Sequence, residues 1–151
     1  MMNTQQLYQQ TEDRTMPFCS VLVVDDEKAF IHTLIKRLQR RGVECEGVFS
    51  GEDAIEKIKT RKFDIVLLDM KLPEMDGNST LIEIKKIRPD TQVIILTGHA
   101  SANDGIEGMK NGAVDYLMKP VEFESLFEKL QTTVNSTNCS HNSSAIDRRK
   151  K

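Results

Sequence analysis

The chain lacks an excess of charge of either sign. Its 151 residues include 21 basic and 23 acidic side chains, which gives a formal net charge of −2. A domain so close to neutrality has no bulk field that attracts nucleic acid or an anionic membrane. The basic end of the chain, DRRKK, is too short to form an element that reads bases, so we expect no direct contact with nucleic acid.

Long apolar runs and closely spaced cysteines are also missing. No run approaches the roughly 20 apolar residues of a membrane-spanning helix, and the polar start MMNTQQLYQQTEDR has no apolar signal core. We therefore expect a cytoplasmic protein that does not contact a membrane. Cys19, Cys45 and Cys139 stand far apart without C-x-x-C spacing, which argues against a zinc site or a disulfide framework and favours a reducing compartment.

Composition divides the chain into three parts. Residues 1–17 are rich in Gln and Thr, and residues 135–151 are rich in Asn and Ser with a basic end. Neither segment has enough apolar surface to fold alone, so we predict a disordered N-terminal arm and a disordered polar and basic tail. The folded domain is then expected at residues 18–134, a length that suits a single domain.

Short apolar runs recur through the folded part and predict strands. They lie at residues 19–24, 43–49, 63–68, 92–97 and 114–118. Runs such as DIVLL and VIIL are apolar at nearly every position, which is typical of strands buried on both faces of a parallel sheet. Amphipathic segments with helical spacing lie between them. The alternation predicts an α/β fold of five βα units, (βα)5, with right-handed crossovers and helices on both faces.

Several residues mark where the predicted helices begin and end. Ser50 has the side chain and the position of an N-cap for the second helix. Gly42 and Gly112 follow helical segments where a left-handed residue often ends a helix, and Pro89 stops the third helix. The buried faces of the first and last helices are predicted from two apolar stripes: Phe30, Ile31, Leu34, Ile35 and Leu38, and Phe123, Leu126, Phe127, Leu130 and Val134.

Polar residues stand at the carboxyl ends of the predicted strands. The first strand ends in Asp25 and Asp26, the third in Asp69, the fourth in Thr97 and the fifth in Lys119. In an open parallel sheet these ends meet at one edge, where ligands bind. Each residue alone is explained by an ordinary helix cap, turn or strand, but their occurrence together at matching ends favours a shared site.

Phosphoryl transfer is the chemistry that this set of side chains fits. Carboxylates crowded at one edge repel one another unless a cation joins them, and their oxygens suit Mg²⁺. A lysine offers a positive charge to one phosphate oxygen, and a threonine hydroxyl offers a donor to another. A carboxylate can itself attack phosphorus and form an aspartyl phosphate.

The text around these residues resembles the receiver domain of bacterial two-component response regulators. The matching stretches are VLVVDDE, DIVLLDMKLPEMDG, VIILTGHAS and GAVDYLMKP, and their order and spacing agree over about residues 20–134. LDMKLPEMDG and LTGHAS look most like the receivers attached to enhancer-binding transcription activators. The resemblance implies a flavodoxin-like fold with a five-stranded parallel sheet in the order 2-1-3-4-5.

The resemblance also implies a role for each matched acidic position. Asp69 is expected to be the phosphoacceptor. Asp26 and Asp69 are expected to ligate Mg²⁺ (or Mn²⁺) directly, while Asp25 acts largely through water. The backbone carbonyl of Lys71 is a further expected metal ligand, and the Lys71 side chain, with His99, is expected to tune the rate at which the phosphoryl group is lost.

Three further matched residues are expected to sense and transmit the phosphoryl group. Thr97 and Lys119 contact its oxygens in the family pattern. Tyr116 matches the switch aromatic, which turns inward as Thr97 moves toward the phosphate. The Lys119–Pro120 peptide bond is usually cis in this family.

The function implied is a phosphorylation-activated signalling switch that catalyses only its own phosphorylation and dephosphorylation. The phosphoryl group comes from a sensor histidine kinase, a phosphotransfer protein or a small phosphodonor. The fourth helix (about 102–111), the fifth strand and the last helix are expected to form the output face for a downstream protein or a second copy of the domain. In the fourth helix we expect Ile106 and Met109 to be the apolar anchors; Gly105 and Gly108 either loosen the helix or permit its close packing on the sheet.

The sequence disfavours three other functions. The intact acidic, threonine and lysine set argues against a degenerate receiver used as a phosphate-independent interaction module. An enzyme acting on small phosphorylated substrates is disfavoured because no glycine-rich phosphate loop or second catalytic base is visible. A DNA-binding regulator acting through the tail is disfavoured by the shortness of its basic run. No DNA-binding or ATPase domain follows the receiver pattern, so a stand-alone regulator and a receiver detached from a larger protein both stay open.

Overall fold

A parallel sheet forms the centre of the domain. The computed structural model describes residues 19–98 and 102–149, with side chains described for 19–98 and 103–136. In this part of the chain the strands are β1 (Ser20–Val24), β2 (Glu44–Val48), β3 (Ile65–Asp69), β4 (Gln92–Thr97) and β5 (Asp115–Met118). They pair in parallel in the order β2-β1-β3-β4-β5. This confirms the predicted flavodoxin-like (βα)5 fold and its strand order.

Helices alternate with the strands and cover both faces of the sheet. They are α1 (Lys28–Arg40), α2 (Gly51–Thr60), α3 (Gly77–Ile87), α4 (Ala102–Lys110) and α5 (Phe123–Arg149). Successive residues of β1 point to opposite faces, so that Val21 and Val23 enter the core beneath α1 and α5, whereas Leu22 and Val24 enter the core beneath α2 and α3. Burial on both faces explains why the strand sequences are apolar at nearly every position.

The predicted helix ends agree with the observed ones. The Ser50 hydroxyl accepts a hydrogen bond from the backbone N–H of Asp53 at 3.1 Å, which is the expected N-cap of α2. Gly42 and Gly112 have φ values of 82° and 110°, in the left-handed region that ends many helices. Helix α3 ends at Ile87, two residues before Pro89.

The last helix runs past the predicted end of the folded domain. Its stripe of Phe123, Leu126, Phe127 and Leu130 is buried, and Val134 packs against the same core at its edge. The helical backbone continues to Arg149. The domain boundary at residue 134 and the disordered tail stay predictions. The predicted arm at residues 1–17 lies outside the described residues. Within the described residues, no helix combines the length and the apolar character needed to cross a bilayer.

The prediction that Ile106 and Met109 anchor α4 to the sheet is wrong. Ile106 and Met109 are 54% and 42% exposed, so both point away from the sheet. The helix instead lies on the sheet through its glycines, and a Cβ atom added at Gly108 would collide with the Cδ1 atom of Ile95 on β4. Close packing, the alternative role of the glycines, is the arrangement observed.

Candidate functional site

Three carboxylates meet at the carboxyl edge of the sheet. Asp25 and Asp26 follow β1, and Asp69 ends the adjacent strand β3. Each residue offers one carboxylate oxygen, and these oxygens lie within 4.8 Å of one another. Asp25 is fully buried and Asp69 is 5% exposed, whereas Asp26 is exposed at the mouth of the cluster. We call this cluster the acidic pocket; it brings together the acidic residues that the sequence placed at the strand ends.

Lys119 reaches into the acidic pocket from the end of β5. Its Nζ atom lies 2.5 Å from Oδ2 of Asp25, 3.5 Å from Oδ2 of Asp69 and 3.7 Å from Oε1 of Glu27. Its backbone N–H donates to the carbonyl of Thr97 at 2.7 Å, which fixes the start of the side chain beside β4. The peptide bond that follows is cis, as expected. The ammonium group therefore lies among carboxylates from the ends of the neighbouring strands β1 and β3.

Backbone donors orient the two buried carboxylates. The N–H of Glu27 donates to Oδ1 of Asp25 at 2.9 Å, and the N–H of Lys71 donates to Oδ1 of Asp69 at 3.0 Å. In each case the donor is two residues further along the chain, an arrangement that the tight turn after a strand provides. The Oδ2 atoms of both carboxylates are thereby left facing the ammonium of Lys119.

Burial and neighbouring charges perturb the pKa values of the site. Burial, together with the negative charge of Asp25, raises the pKa of Asp69, although the Lys71 N–H and the Lys119 ammonium oppose this shift. Burial by itself lowers the pKa of Lys119, but the hydrogen bond and charge of Asp25, with smaller contributions from Asp69 and Glu27, raise it overall. Lys119 is therefore charged at neutral pH.

The acidic pocket fits a hard divalent cation. The pocket holds three carboxylates and one ammonium group, which pairs with two of them, so the cluster keeps a negative charge when all are ionised. Oxygen ligands within this distance of one another, with an open side at Asp26, match the preference of Mg²⁺ for carboxylates and retained water. The backbone carbonyl of Lys71 as a further ligand stays a prediction. An open groove of about 550 Å³, lined in part by Asp26, Lys71 and Pro73, adjoins the pocket.

Neither the Thr97 hydroxyl nor the Tyr116 ring has a described contact with the acidic pocket. Thr97 is 1% exposed, and its hydroxyl donates a long hydrogen bond of 3.5 Å to the carbonyl of Leu117. Tyr116 is 43% exposed. Its ring lies over α4 at Gly105, where an added Cβ atom would come within 3.2 Å of the ring. His99 lies outside the described residues.

Two neighbours of Lys119 were not assigned to the site from the sequence. Glu27 is the most distant of its three ion-pair partners, and the centroid of the Phe30 ring lies 4.7 Å from its Nζ atom. The spacing of Phe30 fits the predicted buried stripe of α1. Only the fold brings the first turn of α1 beside the end of β5, so no local sequence signal indicates that Phe30 contacts Lys119 as well as the core.

Comparison with known proteins identifies similar sequences and structures. The chain matches the family model described as response regulator receiver domain over residues 21–131. It is similar to the transcriptional regulatory protein ZraR of Salmonella typhimurium, with 38% identity over 117 residues that cover 78% of this chain and 26% of that protein. The chain thus spans about a quarter of the length of the curated relatives that it matches first.

Solved structures agree with the sequence matches. The receiver domain of the Francisella response regulator 1452 has a TM-score of 0.73 and 32% identity, covering 79% of this chain and 98% of that one. NtrX from Brucella abortus has a TM-score of 0.79 and 27% identity, covering 84% of this chain and 29% of that one. These matches confirm the resemblance to response regulator receivers that the sequence motifs indicate.

Proposed function

The chain belongs to the response regulator receiver family, and we propose that it is a phosphorylation-dependent switch whose phosphoacceptor is Asp69. Receivers of this family are signalling switches rather than catalytic enzymes. The observation that carries the proposal is the meeting of three carboxylates with the Lys119 ammonium at one edge of the sheet. It supplies a nucleophile, a set of metal ligands and a fixed positive charge in one place.

The proposed reaction is the transfer of a phosphoryl group to a carboxylate oxygen of Asp69. A bond forms between this oxygen and phosphorus, while the bond from phosphorus to the donor breaks and its electron pair leaves with the donor. Asp26, Asp69 and the Lys71 carbonyl, with Asp25 acting largely through water, would hold Mg²⁺ or Mn²⁺, which would supply positive charge to the phosphoryl oxygens. Lys119 supplies an ammonium group to one of these oxygens, and Thr97 supplies a hydroxyl donor to another.

A sensor histidine kinase or a phosphotransfer protein is the proposed source of the phosphoryl group. Membership in the receiver family supports this assignment, and the groove beside the acidic pocket leaves space for a donor next to Asp69. Small phosphodonors such as acetyl phosphate are expected to serve in vitro, because the nucleophile and the metal ligands all come from the receiver itself.

The switch is proposed to run from Thr97 to the surface of α4, β5 and α5. When its hydroxyl turns to the phosphoryl group, Thr97 releases the long hydrogen bond to Leu117 and leaves space that the outward ring of Tyr116 can fill. Departure of the ring changes a surface that exposes five apolar side chains: Ile106, Met109, Val114, Tyr116 and Met118. The proposed partner of this surface is a downstream protein or a second copy of the domain.

Intact mass spectrometry after incubation with acetyl phosphate and Mg²⁺ tests the proposal. We expect the wild type to gain the mass of one phosphoryl group and the Asp69→Asn variant to gain none. The exposed Asp90→Asn variant is a matched control that should label as the wild type does. Excess chelator should abolish labelling. Labelling of the Asp69→Asn variant to the same extent as the wild type, or labelling that is unchanged by the chelator, would contradict the assignment of the site.

A further inference from the structure

The ring of Phe30 contacts the ammonium of Lys119 from the side of α1. Their separation, 4.7 Å from Nζ to the ring centroid, is within the range of an attractive cation–π contact. Phe30 lies in the first turn of α1, where it is partly buried and packs against the core beneath α1 and α5. The core therefore fixes the ring beneath the ammonium group.

The ion-pair partners of the ammonium in the described part of the chain are three carboxylates. They are Asp25, Asp69 and Glu27, at 2.5, 3.5 and 3.7 Å. A divalent cation bound to the oxygens of Asp25 and Asp69 would repel the ammonium and would neutralise the negative charge that attracts it. Phe30 differs from these neighbours because it is neutral, cannot ligate a metal and has no proton to donate.

We propose that Phe30 is a positioning residue that keeps the Lys119 ammonium beside the phosphoacceptor when a divalent cation occupies the acidic pocket. The inference rests on the proposed function of this pocket. The ring attracts the ammonium without engaging its N–H donors in strong hydrogen bonds, so these donors stay available to a phosphoryl oxygen. Phe30 thus acts through Lys119 and does not itself touch the reacting atoms.

Phe49 offers a matched control for the simpler role of filling the core. It is partly buried and packs against the same core cluster as Phe30. The Nζ atom of Lys28 lies 5.2 Å from the centroid of the Phe49 ring. Lys28 is exposed, however, and makes no described ion pair with the acidic pocket. Replacement of either ring by leucine removes an aromatic ring from the same core cluster. Only Phe30→Leu also removes the ring that contacts Lys119.

The first measurement is the rate of phosphorylation by acetyl phosphate at saturating Mg²⁺. We expect Phe30→Leu to lower the rate constant roughly three- to tenfold, the factor that a partly desolvated cation–π contact supplies. Phe30→Tyr should restore most of the rate because it keeps the aromatic face, and Phe49→Leu should leave the rate unchanged. A Phe30→Leu variant as fast as the wild type, or a Phe49→Leu variant equally slow, would overturn the proposal.

The second measurement needs neither phosphorylation nor a stable variant. In the wild type the Cε protons of Lys119 should show an upfield ring-current shift by NMR, and this shift should persist or grow when Mg²⁺ is added. Loss of the shift on Mg²⁺ binding would show that the ammonium leaves the ring and would overturn the proposal. If the wild type instead fails to label at Asp69, the proposed function fails, while the shift still decides whether Phe30 holds Lys119.

Discussion

Removal of the Lys119 charge is the perturbation whose effect the structure fixes most closely. In a Lys119→Met variant a side chain of similar length loses the ammonium that lies 2.5 Å from Asp25 and 3.5 Å from Asp69. Asp25 is fully buried and Asp69 is 5% exposed, so neither carboxylate can recover much hydration. Breaking a buried ion pair by removing one partner costs about 3–5 kcal/mol. Because the Lys119 side chain is itself 17% exposed, we expect the lower end, about 3 kcal/mol.

Urea unfolding in the presence of a chelator measures this loss directly. A Lys119→Met/Asp25→Asn double variant should recover most of it, because the carboxylate closest to the lost ammonium is then neutral. Added Mg²⁺ should stabilise Lys119→Met more than the wild type, since no ammonium competes for the same oxygens. A loss below about 1 kcal/mol, the scale of an exposed ion pair, or equal Mg²⁺ gains in both proteins, would refute the reasoning.

Three further predictions test separate parts of the structure. Burial raises the pKa of Asp69, so its protonated form stabilises the fold at low pH, and that contribution is lost as the pH rises through the folded pKa. Asp69→Asn should therefore be more stable than the wild type in chelator at neutral pH, with a smaller difference in acid, as urea unfolding at several pH values will show. Gly108→Ala forces a methyl group against Ile95 and should cost about 1–3 kcal/mol in the same assay, whereas Ile106→Ala, at an exposed position, should change stability by less than about 0.5 kcal/mol. The ammonium of Lys71 lies near Gly98 at the groove. A Lys71→Ala/His99→Ala variant should therefore change the dephosphorylation rate more than the stability. Equal decay rates in this variant and the wild type would contradict a role of the two side chains in dephosphorylation.

The fold was predictable because its strands are buried on both faces. That burial produces continuous apolar runs, and each predicted strand overlaps the observed one with ends that differ by at most two residues. Cap residues were equally visible, since Ser50 and the left-handed Gly42 and Gly112 have local signatures that do not depend on the rest of the fold. The convergence of Asp25, Asp69 and Lys119 followed from the parallel arrangement of their strands.

Contacts made between distant elements were less predictable. Ile106 and Met109 were expected to anchor α4 because they are its large apolar residues, yet the helix approaches the sheet through glycines that no hydrophobicity pattern marks as buried. Phe30 fits the core stripe of α1 by spacing, and its second contact, with Lys119, depends on how far the side chain reaches across the sheet edge. Such contacts require coordinates because neither partner carries a sequence signal for the other.

Hydrogen exchange with and without the phosphate mimic beryllofluoride tests most directly whether this domain is a switch. In the presence of Mg²⁺, we expect the mimic to change protection in residues 102–111 and around Tyr116, because the movement of Thr97 removes the contact between the Tyr116 ring and α4. The Asp69→Asn variant should show no such change. Changes confined to the loops that hold Asp69 and Lys119 would contradict the proposed route from the phosphoacceptor to the output surface.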